Sequence, residues 1–345
     1  MSMLIGHDWA IDLLVQQQDN DHTPQSLLIA GPPNIGKSTL ARFFMQRLHC
    51  EKIDAEKIDA EKTDAEKTDA EKTGAPEKPC NDCIACRKVL HGNHPDLFIF
   101  DEEGSLKIET IRTLQRMLSL SAVESRHRVA ILCNFEQATI SASNALLKTL
   151  EEPAKDVVII LTASDPGALL PTITSRCQIL TLRPLPSKQV LNALQTHWQV
   201  ESTQAKLLAQ LATGRLGWAV RAIEDSELLT RRQQYLEDLL KLLSSSRTER
   251  LNYAHKLSQD VVKLKEALIF WITLSRDLLL IKTNCQTPII NLDWHDPLEK
   301  LSKQLTITQV RTMVSRLRKT LTNLDRNVNP RLNLEVSLLK LPFTR

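Results

Sequence analysis

Aromatic residues are scarce. They make up 4% of the 345 residues, so the chain has few flat surfaces on which unpaired bases would stack. Charge of one sign is also scarce: a formal net charge of +3 with 25% charged residues is too mild to announce a nucleic-acid partner by itself. No segment approaches the ~20 consecutive apolar residues that a membrane helix needs. The opening MSMLIGHDWAIDLLVQQQ lacks a basic flank followed by an apolar run. These absences predict a cytoplasmic protein without a membrane partner. Seven cysteines in such a chain read as thiols or metal ligands, not disulfides. With 42% hydrophobic residues there is enough apolar material for the cores of two or three domains.

What is present is organised around 31–39, GPPNIGKST, a glycine followed by four residues and Gly-Lys-Ser. The preceding SLLIA of 26–30 predicts a short buried strand. Residues 38–49 predict an amphipathic helix with Leu40, Phe43, Phe44 and Leu48 inward. This is the setting in which a loop's amides and a helix N-terminus hold phosphate. Gly31 and Gly36 permit the tight backbone, Lys37 would reach the terminal phosphates and Ser38 would hold magnesium. Gly31, Asn34, Gly36, Lys37, Ser38 and Thr39 are therefore the expected contacts for ATP or ADP with magnesium.

The predicted helix is followed by a pentapeptide repeat over 51–79, EKIDA twice, EKTDA twice and a degraded remainder. It holds ten acids and six lysines, so the rest of the chain is more basic than the overall charge suggests. With little apolar surface to offset the entropy of ordering, the repeat reads as a solvated excursion. Cysteines bracket it: Cys50 before, and Cys80, Cys83 and Cys86 after. Four thiolates can converge on one tetrahedral ion and make a closed structural zinc site. An iron–sulfur cluster and free thiols are the competing readings, although the fourth cysteine and proline of the iron–sulfur run are missing beyond Cys86.

Beyond the cysteines, strands are predicted at 96–100, 129–133, 157–162 and 178–182, with helices at 108–118 and 141–150. Alternation of this kind makes a parallel sheet covered on both faces. From 183 the pattern is helical only. Helices at 188–198, 203–212 and 214–224 suggest a small lid to about 246. Runs at 260–282, 307–324 and 332–341, with Pro288, Pro297 and Pro330 between them, suggest a bundle over 247–345.

Two stretches, NALLKTLEEP at 144–153 and TSRC at 174–177, resemble bacterial clamp-loader subunits of the AAA+ class. With the cysteines and the HPD of 94–96, the likeness is closest to the delta-prime family of DNA polymerase III. The NVNPRLNLEV of 327–336 is similar to that family's collar domain. The resemblance covers nearly the whole chain apart from 51–79. It implies an α/β AAA+ phosphate-loop domain with a parallel sheet and a cysteine zinc module over 1–182. A helical lid over 183–246 and an all-α collar domain over 247–345 follow. The partners it implies are the motor and delta subunits of a hetero-oligomeric ring, which together load a sliding clamp on primer-template DNA.

Motor subunits of that class carry an aspartate and a glutamate at the end of the third strand, for magnesium and for water. Here those positions are Cys133 and Asn134, neither of which can act as a general base. Glu136 lies two residues further on, where its direction is expected to differ. The class also places a sensing arginine in the lid. This chain reads GRLGWA over 214–219, which puts Gly217 there, flanked by Arg215 and Arg221 as exposed helix charges or a displaced sensor. Thr162 and Ser164 fall where the family has a polar phosphate sensor. Arg176 of the Ser-Arg-Cys triplet is intact, and the resemblance makes it an arginine finger reaching a neighbour's nucleotide, an effect worth about 10³ to 10⁵ in rate. Its other reading is a surface ion pair. The expectation is a subunit that binds nucleotide with little or no hydrolysis of its own. An active motor subunit and a zinc-stapled binding protein with a vestigial loop are the rivals. Arg311, Arg316, Arg318, Lys319 and Arg326 suit either DNA phosphates or a solvated helix face.

Overall fold

Parallel strands need both faces covered, and the apolar runs of this sequence supply strands that suit such a sheet. The computed structural model describes residues 4–20, 22–53, 78–101, 105–285, 289–326 and 328–344; most of the repeat, 54–77, lies outside the described residues. Strands β1 (Ser26–Ala30), β2 (Leu97–Phe100), β3 (Arg128–Leu132), β4 (Val157–Ala163) and β5 (Gln178–Thr181) form one parallel sheet in the order β2-β3-β4-β1-β5. Every residue of β1, β3 and β4 is buried.

Alternate side chains of these strands go to opposite faces. Leu27, Ile29, Val129, Ile131, Val158 and Ile160 pack with Leu14 of helix α1 (Asp8–Asp19), Phe44 of α2 (Lys37–Leu48) and Val89 of α3 (Ile84–Leu90). Leu28, Ala130, Leu132, Ile159 and Leu161 pack with Leu114 of α4 (Ile108–Leu118) and Leu146 of α5 (Ile140–Glu151). Each fully buried leucine or isoleucine contributes roughly 1.5–3 kcal/mol. A single Leu28→Ala change would leave a cavity beneath the central strand.

The chain divides into a unit of Met1–Gln189 with Arg215–Gly217 and a unit of Val190–Gly214 with Trp218–Arg345. A short helix, α6 (Pro171–Thr174), precedes β5, and α7 (Ser187–His197) begins in the first unit. The rest is helical: α8 (Ser202–Leu211), α9 (Leu216–Glu224), α10 (Ser226–Ser244), α11 (Arg247–Leu257), α12 (Val261–Lys282), α13 (His295–Gln304), α14 (Ile307–Asp325) and α15 (Pro330–Leu339).

In the second unit α12 packs against α10, α13 and α14. Trp271 of α12 is wholly buried and donates its indole N–H to the Tyr235 carbonyl at 2.7 Å. Helix α10 was expected in the lid, yet it sends Tyr235, Leu236, Leu239, Leu242 and Leu243 into the same core as α12. A reciprocal cap between Ser246 and Glu249 does start a helix at α11, but that helix boundary lies within one core. Pro297 does not separate helices either: it is the third residue of α13, where a missing N–H has no intrahelical partner to lose. Pro330 opens α15 for the same reason.

Two buried polar knots fix this unit. Arg250 donates to the carbonyls of Leu242, Leu243, Leu338, Leu341 and Pro342 at 2.8–3.1 Å, closing the C-terminal ends of α10 and α15. Asp277, with no exposed surface, accepts from the backbone N–H groups of Ile290 and Asn291 and from the Asn291 side chain. Among the described residues, no helix is long and apolar enough to cross a membrane.

Candidate functional site

The phosphate loop joins β1 to α2 at the C-terminal edge of the sheet. Gly31 donates its N–H to the Ala163 carbonyl at 3.0 Å, and a Cβ there would lie 2.8 Å from the Leu182 carbonyl. Gly36 caps α2 at φ 113°, a left-handed conformation that favours glycine. Asn34 takes φ 62°, which an asparagine tolerates. Asn34 and Ser38 are exposed and Thr39 half-buried.

The carbonyls of this loop are engaged by the protein itself. Lys37 Nζ donates to Gly31 O at 2.6 Å and to Pro32 O at 3.1 Å. The His7 imidazole Nε2 meets Ile35 O at 3.1 Å, and the Gly217 N–H donates to Asn34 O at 3.0 Å. Acceptors that would repel a phosphate are thereby occupied. Burial pushes the Lys37 ammonium below its ordinary pKa, against the opposing charge of Glu136.

Past the end of β3 the chain provides no strand-end carboxylate. The Cys133 thiol lies among the side chains of Ser38, Asp101 and Thr162; burial first, then the Asp101 charge, push it up to about 11, so it stays neutral. Asn134 is exposed and left-handed at φ 50°, with its N–H on Thr162 Oγ1 at 3.0 Å. That turn leads into the 3-10 segment Phe135–Gln137, which lies against β4. Glu136 accepts from the Ser164 N–H at 3.0 Å through Oε1, while Oε2 is buried without a hydrogen-bond partner among the described residues. Its direction is set by the left-handed turn at Asn134 and by the bond to Ser164, not by continuation of the strand.

Gly217 stands where the resemblance places an arginine. A Cβ there would meet Asn34 O at 2.7 Å, closer than a side chain is tolerated. Arg221 is exposed as expected, but Arg215 is half-buried, precedes α9 and has its pKa lowered by burial. It is not an exposed helix charge.

The four cysteines converge. The sulfurs of Cys50, Cys80, Cys83 and Cys86 all lie within 4.8 Å of one another, with Cys50 and Cys86 buried. Cys80 and Cys86 Sγ are 3.9 Å apart, near the separation of about 3.8 Å that two thiolates reach on one tetrahedral zinc. The Cys83 N–H points at Cys80 Sγ and the Cys86 N–H at Cys83 Sγ, at 3.3 and 3.4 Å. Burial opposes ionisation of Cys80, yet N–H groups of Asp82 and Cys83 hold it down at about 6. Burial raises Cys83 and Cys86. The set fits a closed tetrahedral ion. The described start of the repeat departs from a fully solvated excursion at one residue: Ile53 is fully buried against Cys50 and Cys86, while Glu51 accepts from the Ala85 N–H at 3.2 Å.

Arg176 follows α6. It pairs with Glu151 at the end of α5, and its Nη1 donates to Thr172 O at 2.8 Å. The two stretches that carry the resemblance, LEEP and Ser-Arg-Cys, thus meet in one ion pair. The Arg176 side chain keeps 34% exposure. On α14 the side chains of Arg311, Arg318 and Lys319 are exposed, as is Arg326 just beyond it, while Arg316 donates to Lys340 O at 2.9 Å. Sequence reasoning missed Asp101 and Glu151. Asp101 was visible in principle, because the residue after β2 falls level with Cys133 when neighbouring parallel strands end together.

Comparison with known proteins fits this geometry. The family described as DNA polymerase III, delta subunit matches residues 6–186, and its C-terminal counterpart matches 226–342. The delta' subunit of Bacillus subtilis is 30% identical over 257 residues, covering 73% of this chain and 77% of its own. The tau subunit of that organism is 27% identical, covering 77% of this chain and 51% of its own, and the delta' subunit of Yersinia pestis is 31% identical, covering 55% and 62%. Among solved structures, a DNA polymerase III gamma-subunit-related protein of Thermotoga maritima is 19% identical, covers 94% of this chain and 97% of its own, and has a TM-score of 0.46. A match across the first unit, a second across the helical region and a delta' relative at 30% identity lead to one conclusion: the chain belongs to the DNA polymerase III delta' subunit family.

Proposed function

We propose that this chain is a clamp-loader subunit of DNA polymerase III that helps load the sliding clamp on primed DNA while hydrolysing little or no ATP itself. The observation that carries the reading is the end of β3, where a neutral thiol and an amide occupy the positions of the carboxylate pair. Arg176 is the residue this subunit gives to the ring: a planar, permanently charged group with exposed surface, suited to phosphate oxygens of a neighbouring subunit's nucleotide. Nucleotide binds at Gly31, Asn34, Gly36, Lys37, Ser38 and Thr39 and is held without turnover. Magnesium would neutralise phosphate charge there, with Ser38 as its loop ligand.

Zinc held by Cys50, Cys80, Cys83 and Cys86 is structural, because four thiolates leave no open position for water. Assembly with motor and delta subunits runs through the helical region. Leu332, Val336 and Leu339 of α15 are exposed at helical spacing, with exposed Phe343 beyond, a stripe suited to another helix. Clamp and primer-template DNA are met by the assembly, in the cytoplasm.

The purified chain tests the division of labour. With ATP and magnesium it should bind nucleotide and release no phosphate above its Lys37→Ala variant. Phosphate release that disappears in that variant would make this chain a motor subunit.

A further inference from the structure

Two carboxylates stand near the phosphate loop at places the strand-end pattern does not name. Asp101 follows β2, and β2 and β3 run level: Phe100 is paired with Leu132, and the Cys133 N–H donates to Phe100 O at 2.9 Å. The Cys133 thiol then lies against both Asp101 and Ser38, so one side chain separates that acid from the expected magnesium ligand of the loop. Glu136 arrives from the other side. Its Oε1 is fixed by Ser164 beyond β4, the strand whose Ala163 carbonyl also holds Gly31. Its Oε2 is buried with no donor among the described residues, in the electrostatic reach of Lys37. Lys37 has directed its own ammonium to Gly31 O and Pro32 O.

A buried carboxylate oxygen without a donor is an unfavourable arrangement that a cation would relieve. A phosphate loop brings such a cation with its ligand, since di- and triphosphates bind with magnesium. We propose that Asp101 and Glu136 complete a magnesium–nucleotide site in this chain, replacing the acids absent at Cys133 and Asn134. Asp101 serves the Ser38 side and Glu136 the Lys37 side. The ligand class is a magnesium-bound nucleoside di- or triphosphate. The role is retention of the metal, and it rests on the nucleotide-binding part of the reading above.

The test is a titration of the full chain with a fluorescent ADP analogue, with and without magnesium. Wild type, Asp101→Asn, Glu136→Gln, the double variant and Lys37→Ala are compared, and manganese replaces magnesium for direct detection of the bound metal by electron spin resonance. Magnesium should tighten binding by wild type. The double variant should lose metal affinity by about tenfold to a hundredfold, the range for groups that support a metal from nearby positions. Its metal-free nucleotide binding should be no weaker than that of wild type, which separates a lost metal site from a misfolded loop. Wild-type metal dependence in the double variant overturns the assignment to these acids and leaves the loop's nucleotide binding intact. Failure of wild type to bind the analogue with or without magnesium overturns both the acids and the nucleotide reading; the role of Arg176 does not depend on either.

Discussion

The backbone N–H of Gly217 donates to the carbonyl of Asn34 at 3.0 Å, at the position where the family resemblance places a sensing arginine. The contact needs glycine, since a Cβ would stand 2.7 Å from that same carbonyl oxygen. Gly217→Ala should therefore destabilise the protein by about 1–3 kcal/mol, the usual range for overpacking. Urea denaturation measures it, and Gly217→Arg should show the same loss without any gain in phosphate release. Unchanged stability would mean that the contact is slack.

His7 makes the loop's stability depend on pH. It is buried at 1% exposure, and burial lowers its pKa below the ordinary value of 6.5 despite the opposing Ile35 carbonyl and Asp8 charge. A depressed histidine is neutral in the fold and takes a proton more readily when unfolded. Its contribution is thus present above about pH 6.5 and is lost as pH falls below that toward the folded value, by at most about 1.4 kcal/mol per pH unit. His7→Gln keeps a donor for Ile35 O without the titration. Denaturation at pH 7 and pH 5 should show a smaller loss for the variant than for wild type, and equal losses would contradict the assignment.

Arg250 holds the second unit from inside, with five carbonyl acceptors around one guanidinium at 4% exposure. Removing it leaves buried acceptors unpaired, each costing about 1–3 kcal/mol. Arg250→Ala should lower stability by at least about 3 kcal/mol. Arg250→Lys should recover only part, because an ammonium cannot span acceptors spread over two helix ends. Thermal unfolding with helical circular dichroism is the measurement.

The cysteine cluster should carry one zinc per chain by metal analysis, lost in Cys86→Ser. Because Ile53 is packed against Cys50 and Cys86, metal loss should also open the chain to proteolysis at Ile53. Protection unchanged by metal removal would detach Ile53 from the site.

Much of the sheet was legible because strands buried on both faces are continuously apolar, and β1, β3 and β4 are. The loop was legible because its glycines and lysine are fixed by backbone geometry. What escaped were consequences of chain direction and of distant contact. Glu136 meets Ser164 after a left-handed Asn134, which no periodicity records. Ile53 looks like part of a polar repeat until cysteines thirty residues later close around it. Helix α10 reads as lid by its place in the chain, but its buried face belongs to the core around Trp271. The pairing of Glu151 with Arg176 joins two motifs that were read separately.

The central claim is that this subunit acts through Arg176 on a neighbour's nucleotide. It is tested most directly by the clamp- and DNA-stimulated ATPase rate of the reconstituted loader containing Arg176→Ala, with assembly checked by gel filtration. The account predicts an intact assembly whose rate at the adjoining site falls by about 10³-fold or more. An intact assembly with an unchanged rate would contradict it and leave Arg176 as the partner of Glu151 alone.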